Sequence, residues 1–207
     1  MKVLLINGSP HASGCTYTAL REAANALEAA GVETEIVHGA AKPVCGCIGC
    51  GGCAKTHRCV FQDDIVNTCI DKLEQADGLI VGSPVYYASP NGTMLSLLDR
   101  LFYAGGCYAQ HKPAAAVCSA RRGGTTATFD VLNKYFTISQ MPVVSSTYWN
   151  MVHGSRAEDA MQDAEGLQIM RNLGRNMAWL LGCIEAGRRA GIEAPEAERS
   201  SRTNFIR

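Results

Sequence analysis

The chain has no excess of charge of either sign: 19 Lys and Arg balance 19 Asp and Glu over 207 residues. A neutral chain argues against a nucleic-acid or membrane-surface partner. Long apolar runs are also missing, and none approaches the roughly 20 residues that span a bilayer. The run Val3-Leu4-Leu5-Ile6, with one lysine before it, is too short for a signal peptide. A cytoplasmic location is therefore expected, with thiols kept reduced. Hydrolase motifs are lacking too, since none of the five histidines stands in an H-E-x-x-H or Ser/His/Asp context. The nucleotide loops G-x-x-x-x-G-K-[ST] and G-x-G-x-x-G are both absent: Gly8 and Gly14 are one residue too far apart, and Cys15 stands where the lysine would be. Cys15 and Arg21 have the spacing of a phosphatase loop, but they fall within a helical pattern rather than a cradle.

What the chain does have is ten cysteines, 21 glycines and an abrupt transition near its start. The strand-like run Val3-Leu4-Leu5-Ile6-Asn7 ends in Gly8-Ser9-Pro10-His11-Ala12-Ser13-Gly14, and a helical pattern then runs from Cys15 or Thr16 to about Ala30. Strand, polar loop and helix together aim backbone N–H groups and a helix N-terminus at an anion. Ser9, Ser13 and Thr16 add hydroxyls. The plainer reading is a turn in which Ser13 or Thr16 caps the helix. The loop is longer than such a turn requires, which favours a single phosphate that stays bound.

Further strands are expected over 32–37, 78–82 and 114–118, with a fifth beginning at Met141-Pro142-Val143-Val144. Helices are expected over 63–75, where Asp63 and Asp64 suit the first turn, and over 93–103, 125–136 and 158–183. Residues 39–60 form a Gly- and Cys-rich loop within a domain of residues 1–186, and residues 187–207 a polar tail. Strands alternating with helices imply parallel pairing. The fold class is α/β, a flavodoxin-like three-layer sandwich with a five-stranded parallel sheet in the order 2-1-3-4-5. The unusual loops after the first, third and fourth strands all fall at the carboxyl ends, where such folds bind ligands.

The first loop resembles the phosphate loop of the NAD(P)H-dependent FMN reductase family, with His11 and Cys15 replacing an arginine and an asparagine. Ser83-Pro84-Val85-Tyr86-Tyr87 and the later Leu98-Asp99-Arg100 resemble the same family. The resemblance implies FMN as cofactor, with NAD(P)H as the electron donor. Its phosphate would lie against Ser9, His11, Ser13, Gly14, Cys15 and Thr16. Pro84, Val85, Tyr86, Tyr87 and Asn91 would border the flavin ring, although tyrosines after a strand also serve to cover a sheet edge. Ser119, Ala120, Arg121, Gly123 and Gly124 would meet its pyrimidine edge, where a cation favours the reduced flavin. Arg121 and Arg122 equally suit a solvated turn. No catalytic side chain is required, because the flavin carries the chemistry.

Cys47-x2-Cys50-x2-Cys53-x5-Cys59 has the spacing of a loop wrapped around a compact inorganic cluster. Structural zinc usually draws on two separated Cys-x-x-Cys pairs and fits less well. Beside a flavodoxin-like domain, this spacing resembles the iron–sulfur flavoproteins of anaerobes, which implies a [4Fe–4S] cluster on these four cysteines. Free thiols are the alternative. Cys45 and Cys69 stand outside the motif, while Cys118 and Cys183 read as small core residues. Three functions follow. One is an FMN-dependent oxidoreductase that moves electrons from NAD(P)H to a small acceptor such as a quinone, a nitro compound or a flavin. Another is an iron–sulfur flavoprotein exchanging electrons with ferredoxin-like partners. The last is a non-redox binding domain with a zinc loop. The resemblance, with Tyr148 and Trp149 near the presumed pocket mouth, implies a homodimer or homotetramer.

Overall fold

In the computed structural model, which describes residues 1–201, 203 and 205, the chain forms a doubly wound α/β sandwich. In order come β1 (Lys2–Asn7), α1 (Cys15–Ala29), β2 (Glu33–His38), α2 (Cys53–Thr56), α3 (Val66–Gln75), β3 (Gly78–Tyr86) and β4 (Ser89–Pro90). Then follow α4 (Gly92–Gly105), a 3-10 turn (Gly106–Tyr108), β5 (Ala114–Ala120), α5 (Thr125–Ile138), β6 (Met151–His153), α6 (Ala157–Ala160) and α7 (Ala164–Arg189). The parallel path is β2-β1-β3-β5-β6, and β4 folds back antiparallel onto β3. Counting parallel strands alone, this is the expected order 2-1-3-4-5.

Period-two alternation divides each central strand between two cores. Leu4, Ile6, Leu79, Val81, Ala114 and Ala116 pack with α3, α4 and α5 on one face. Val3, Leu5, Ile80, Ala115 and Val117 pack with α1 and α7 on the other. Burial on both faces explains why these strands read as continuous apolar runs. In α1, Ala19, Leu20, Ala23, Ala24 and Leu27 supply the buried stripe. Among the described residues, no helix is long and apolar enough to cross a membrane.

Several boundaries differ from expectation, and β3 runs four residues beyond the expected 82, to Tyr86, because the hairpin with Ser89–Pro90 and the pairing with β5 extend it. Residues 142–144 only touch β5: Ala114 bridges Val143, Ala114 N–H donates to Pro142 O and Val144 N–H to Ala114 O. Pairing resumes at Met151 opposite Cys118, so eight residues here face four on β5, and the surplus loops out. Asn172 and Asn176 of α7 hold that loop through Thr147 Oγ1 and Ser145 O. The fifth strand therefore lies at Met151–His153, not at 141–144. The last helix is broken at Asp163, whose carboxylate accepts from Gly166 N–H at 2.9 Å and from His153 N–H at 2.7 Å. It then continues beyond Cys183 to Arg189. The helix expected from Asp63 starts at Val66, because Asp64 Oδ1 caps Val66 N–H from outside it. Cys118 is buried, but Cys183 is exposed on α7 and is no core residue.

Candidate functional site

The loop after β1 is organised by Asn7, a buried residue that sequence reasoning passed over. Its Oδ1 accepts from Ser9 N–H at 3.0 Å, and its amide donates to His11 O and Ala12 O at 3.3 and 3.4 Å. Ser9 Oγ accepts from His11 N–H at 3.1 Å, and His38 Nε2 lies 2.8 Å from Ser9 O. The signal for Asn7 was its place as the last residue of a parallel strand, where a polar side chain faces the next loop. The N-cap of α1 is Gly14, and no side chain bonds the first-turn amides. Neither Ser13 nor Thr16 caps the helix, so its N–H groups still point out of the loop, as an anion site needs. Ser13 and His11 are exposed, while Ser9 and Thr16 are buried. Cys15 Sγ lies 3.1 Å from Arg156 O, and burial pushes its thiol pKa up.

Three loops at the carboxyl ends meet. Thr16 Oγ1 is 2.8 Å from Ser119 Oγ, which joins the first loop to the one after β5. Gly8 N–H donates to Gly82 O at 2.7 Å, and Pro84 lies opposite Ser119 in register. Gly124 has φ +95°, and a Cβ there would come within 2.7 Å of Val85 Cγ1 and 2.9 Å of Ala88 Cα. The contact brings the β3–β4 hairpin against the loop after β5, and only glycine permits it. At the hairpin tip Tyr87 and Ala88 both hold positive φ, 49° and 58°, and the Tyr87 side chain is fully exposed. Such backbone collects where function maintains it. Tyr86 is also exposed, as are Arg121 and Gly123, while Ala120 is half-buried. Asn91 is engaged as N-cap of α4: its Oδ1 accepts from Thr93 N–H at 2.7 Å. Its own N–H donates to Ser83 Oγ at 3.0 Å.

The cysteine loop lies on a different side, beside α4. Cys47, Cys50, Cys53 and Cys59 all line one cavity of about 130 Å³ together with Phe61, Arg100 and Tyr103. Gly49 and Gly51 turn the loop with φ +64° and +70°. Asn67 of α3 fixes its end, accepting from Cys59 N–H and donating to Cys59 O and Phe61 O at 2.9–3.0 Å. The thiols surround this space, and among the described residues no three Cys, His, Asp or Glu converge as ligands for a single ion. Tetrahedral zinc draws its ligands to one point at about 2.0–2.3 Å, whereas a cluster of several irons bonds thiolates set apart around its faces. Four cysteines lining one cavity are donors of the kind a cluster uses.

Arg100 closes the inner wall at 1% exposure. Its guanidinium pairs with Asp64 at 2.5 and 3.2 Å and donates from Nε to Cys59 Sγ at 3.2 Å. It stands 4.9 Å from the centre of the Phe61 ring. Burial works to lower its pKa, but the bonds to Asp64 and Cys59 outweigh this, and the group is held above its ordinary value as a cation. Arg100 lies nine residues beyond Asn91, which puts the cysteine cavity about 14 Å down α4 from the strand-end loops. A second cavity, about 690 Å³, lies at the opposite, amino-terminal end of the sheet among Met1, Asp77, Pro113 and the end of α7. It touches none of the residues of the strand-end loops or of the cysteine cavity.

Residues 1–156 match the family model described as NADPH-dependent FMN reductase. An iron–sulfur flavoprotein of Methanocaldococcus jannaschii is 35% identical over 193 residues, 89% of this chain and all of that one. Among solved structures, RosB, with a bound flavin-derived intermediate, superposes with a TM-score of 0.68 at 15% identity, covering 100% of this chain and 92% of its own. A flavodoxin from the Archaea gives 0.61 at 18% identity, covering 88% and 99%. The chain belongs to the NADPH-dependent FMN reductase family and is a flavin-dependent oxidoreductase of flavodoxin-like fold.

Proposed function

We propose that this oxidoreductase binds FMN across the loops after β1, β3 and β5 and carries a [4Fe–4S] cluster on Cys47, Cys50, Cys53 and Cys59. A cluster held there would supply one-electron transfer to a ferredoxin-like partner. The observation that carries the reading is that these four cysteines line one cavity. The relative from Methanocaldococcus jannaschii, named an iron–sulfur flavoprotein, supports it. FMN bound across the strand-end loops would supply hydride or one-electron chemistry. The chain's own residues do the holding. The first-turn amides of α1, with the Ser9 and Thr16 hydroxyls, bind the phosphate. Amides of 119–124 bind the pyrimidine edge, where Arg121 favours the negative reduced ring. Pro84, Val85 and Tyr86 wall the ring, and Tyr87 covers its mouth.

A second reading keeps FMN and NAD(P)H but delivers electrons directly to a quinone, a nitro compound or free flavin. The exposure of Tyr86 and Tyr87 favours it, since their rings face the solvent from which a small acceptor would arrive. Protein purified without oxygen separates the two. Flavin bands with iron and sulfide support the first reading, flavin alone the second, and zinc without flavin would overturn both. The exposed pair Tyr148 and Trp149, with ring centroids 5.2 Å apart, supports a homodimer or homotetramer. A monomer by sedimentation at micromolar concentration would remove that element.

A further inference from the structure

Binding of a cluster by four cysteines leaves Arg100 unaccounted for. An arginine at 1% exposure is costly unless paired. Pairing with Asp64 meets that need, yet a buried ion pair is seldom more stable than apolar residues of the same size. The geometry goes beyond the pair. Nε donates to Cys59 Sγ at 3.2 Å, and Nη1 reaches Cys45 O at 3.2 Å and Cys45 Sγ at 3.4 Å. The guanidinium thus turns part of its fork to Asp64 and part to sulfur, and it lines the cavity that the four thiols share. Phe61, also in the cavity wall, faces the cation at 4.9 Å and keeps this corner apolar, where charges act strongly. The other Lys and Arg side chains of the loop, Lys42, Lys55 and Arg58, are all exposed, and Arg58 is paired with Asp71.

We propose that Arg100 is a positioning residue that sets the reduction potential of the cysteine cavity, and that Asp64 limits how much of its charge the cavity feels. This rests on the cluster reading above. Reduction adds one electron to the cluster with no bond made or broken, so the reduced form is one unit more negative. A buried cation and an N–H bond to a ligand sulfur stabilise that form. Removing the cation must lower the potential. Removing the opposing carboxylate must raise it. A residue that merely held the loop together would instead reduce iron content in both variants and shift the potential the same way.

The test uses the full chain with its FMN, reconstituted anaerobically with iron and sulfide as wild type, Arg100→Met, Arg100→Lys and Asp64→Asn. Iron is counted, and the cluster's paramagnetic signal is followed in a redox titration. Arg100→Met should retain iron, while its reduced-to-oxidised ratio at a fixed potential falls about tenfold, 59 mV for one electron. Asp64→Asn should move the midpoint upward, and Arg100→Lys, keeping charge but losing the fork, should fall between Arg100→Met and wild type. If Arg100→Met fails to hold iron, Asp64→Asn decides alone: an upward shift supports the proposal, and no shift or a downward one overturns it. Wild type that takes up iron while the variants share its midpoint overturns Arg100's role only. Wild type that takes up none overturns the cluster reading, and the proposal with it.

Discussion

Around the loop after β1, polar side chains are committed before any ligand arrives: Asn7 holds Ser9, His11 and Ala12, and Thr16 holds Ser119. Around the cysteine loop the reverse holds. Cys45, Cys47 and Cys50 are exposed, and apart from α2 the segment has no regular structure. Its thiols have weak local contacts, such as Gly49 N–H to Cys47 Sγ at 3.5 Å. One centre is preorganised by the fold and needs a ligand only to use it. The other has a back wall made of Arg100, Asp64 and Asn67 and a front of exposed thiols, which under the proposal above would gain further order from the cluster it holds.

The contrast can be tested, and the largest effect belongs to the loosely held centre. Serine at Cys47, Cys50, Cys53 or Cys59 should each remove most iron and sulfide while FMN stays bound, because each thiolate is part of one unit. Serine at Cys45, outside the cavity lining, should leave iron content near wild type. Five substitutions with indistinguishable metal content would end the comparison.

At the preorganised centre, Ser9→Ala with Thr16→Ala should weaken FMN by about 1–3 kcal/mol, roughly fivefold to 150-fold in Kd. Fluorescence titration of the apoprotein reads this, and unchanged affinity would mean the phosphate lies elsewhere. Gly124→Ala should cost about 1–2 kcal/mol, since the left-handed backbone excludes Cβ and Val85 and Ala88 stand in its way. Thermal unfolding measures it, and iron content should not change. A stable variant with full flavin occupancy would show that the hairpin is free to move from the loop after β5.

The thiols themselves provide the most direct comparison. Burial pushes Cys69 and Cys118 up to about 12 from an ordinary 9.0. Both stay neutral when folded and ionise first in the unfolded chain. Their stabilisation is therefore complete below about pH 9 and is lost as pH rises towards 12, at most about 1.4 kcal/mol per pH unit per thiol. At pH 8, iodoacetamide on iron-free protein should alkylate Cys45, Cys47 and Cys50 and spare Cys69 and Cys118, as mass spectrometry would read. Labelling of the buried pair at the same rate would contradict the core described above.

The continuous apolar run of Val3 to Ile6, the stripe of α1 and the cysteine spacing determined much on their own: the fold, the carboxyl-end loops and the metal-type motif follow from local pattern and spacing. Local patterns could not say where the fifth strand lies, because β5 pairs with residues 142–144 and again with Met151–His153, a choice made by long-range hydrogen bonds. Nor could they reveal that Asp163 breaks the last helix by capturing Gly166 and His153, or that Asn91 is used as a helix cap. Arg100 stood in the sequence as half of an Asp-Arg pair and Asp64 as a first-turn acid. Only packing joined them, because α4 carries Arg100 beneath a loop 41 residues earlier, against Cys59. Side chains far apart in sequence meet through the shared core, and no local pattern encodes that meeting.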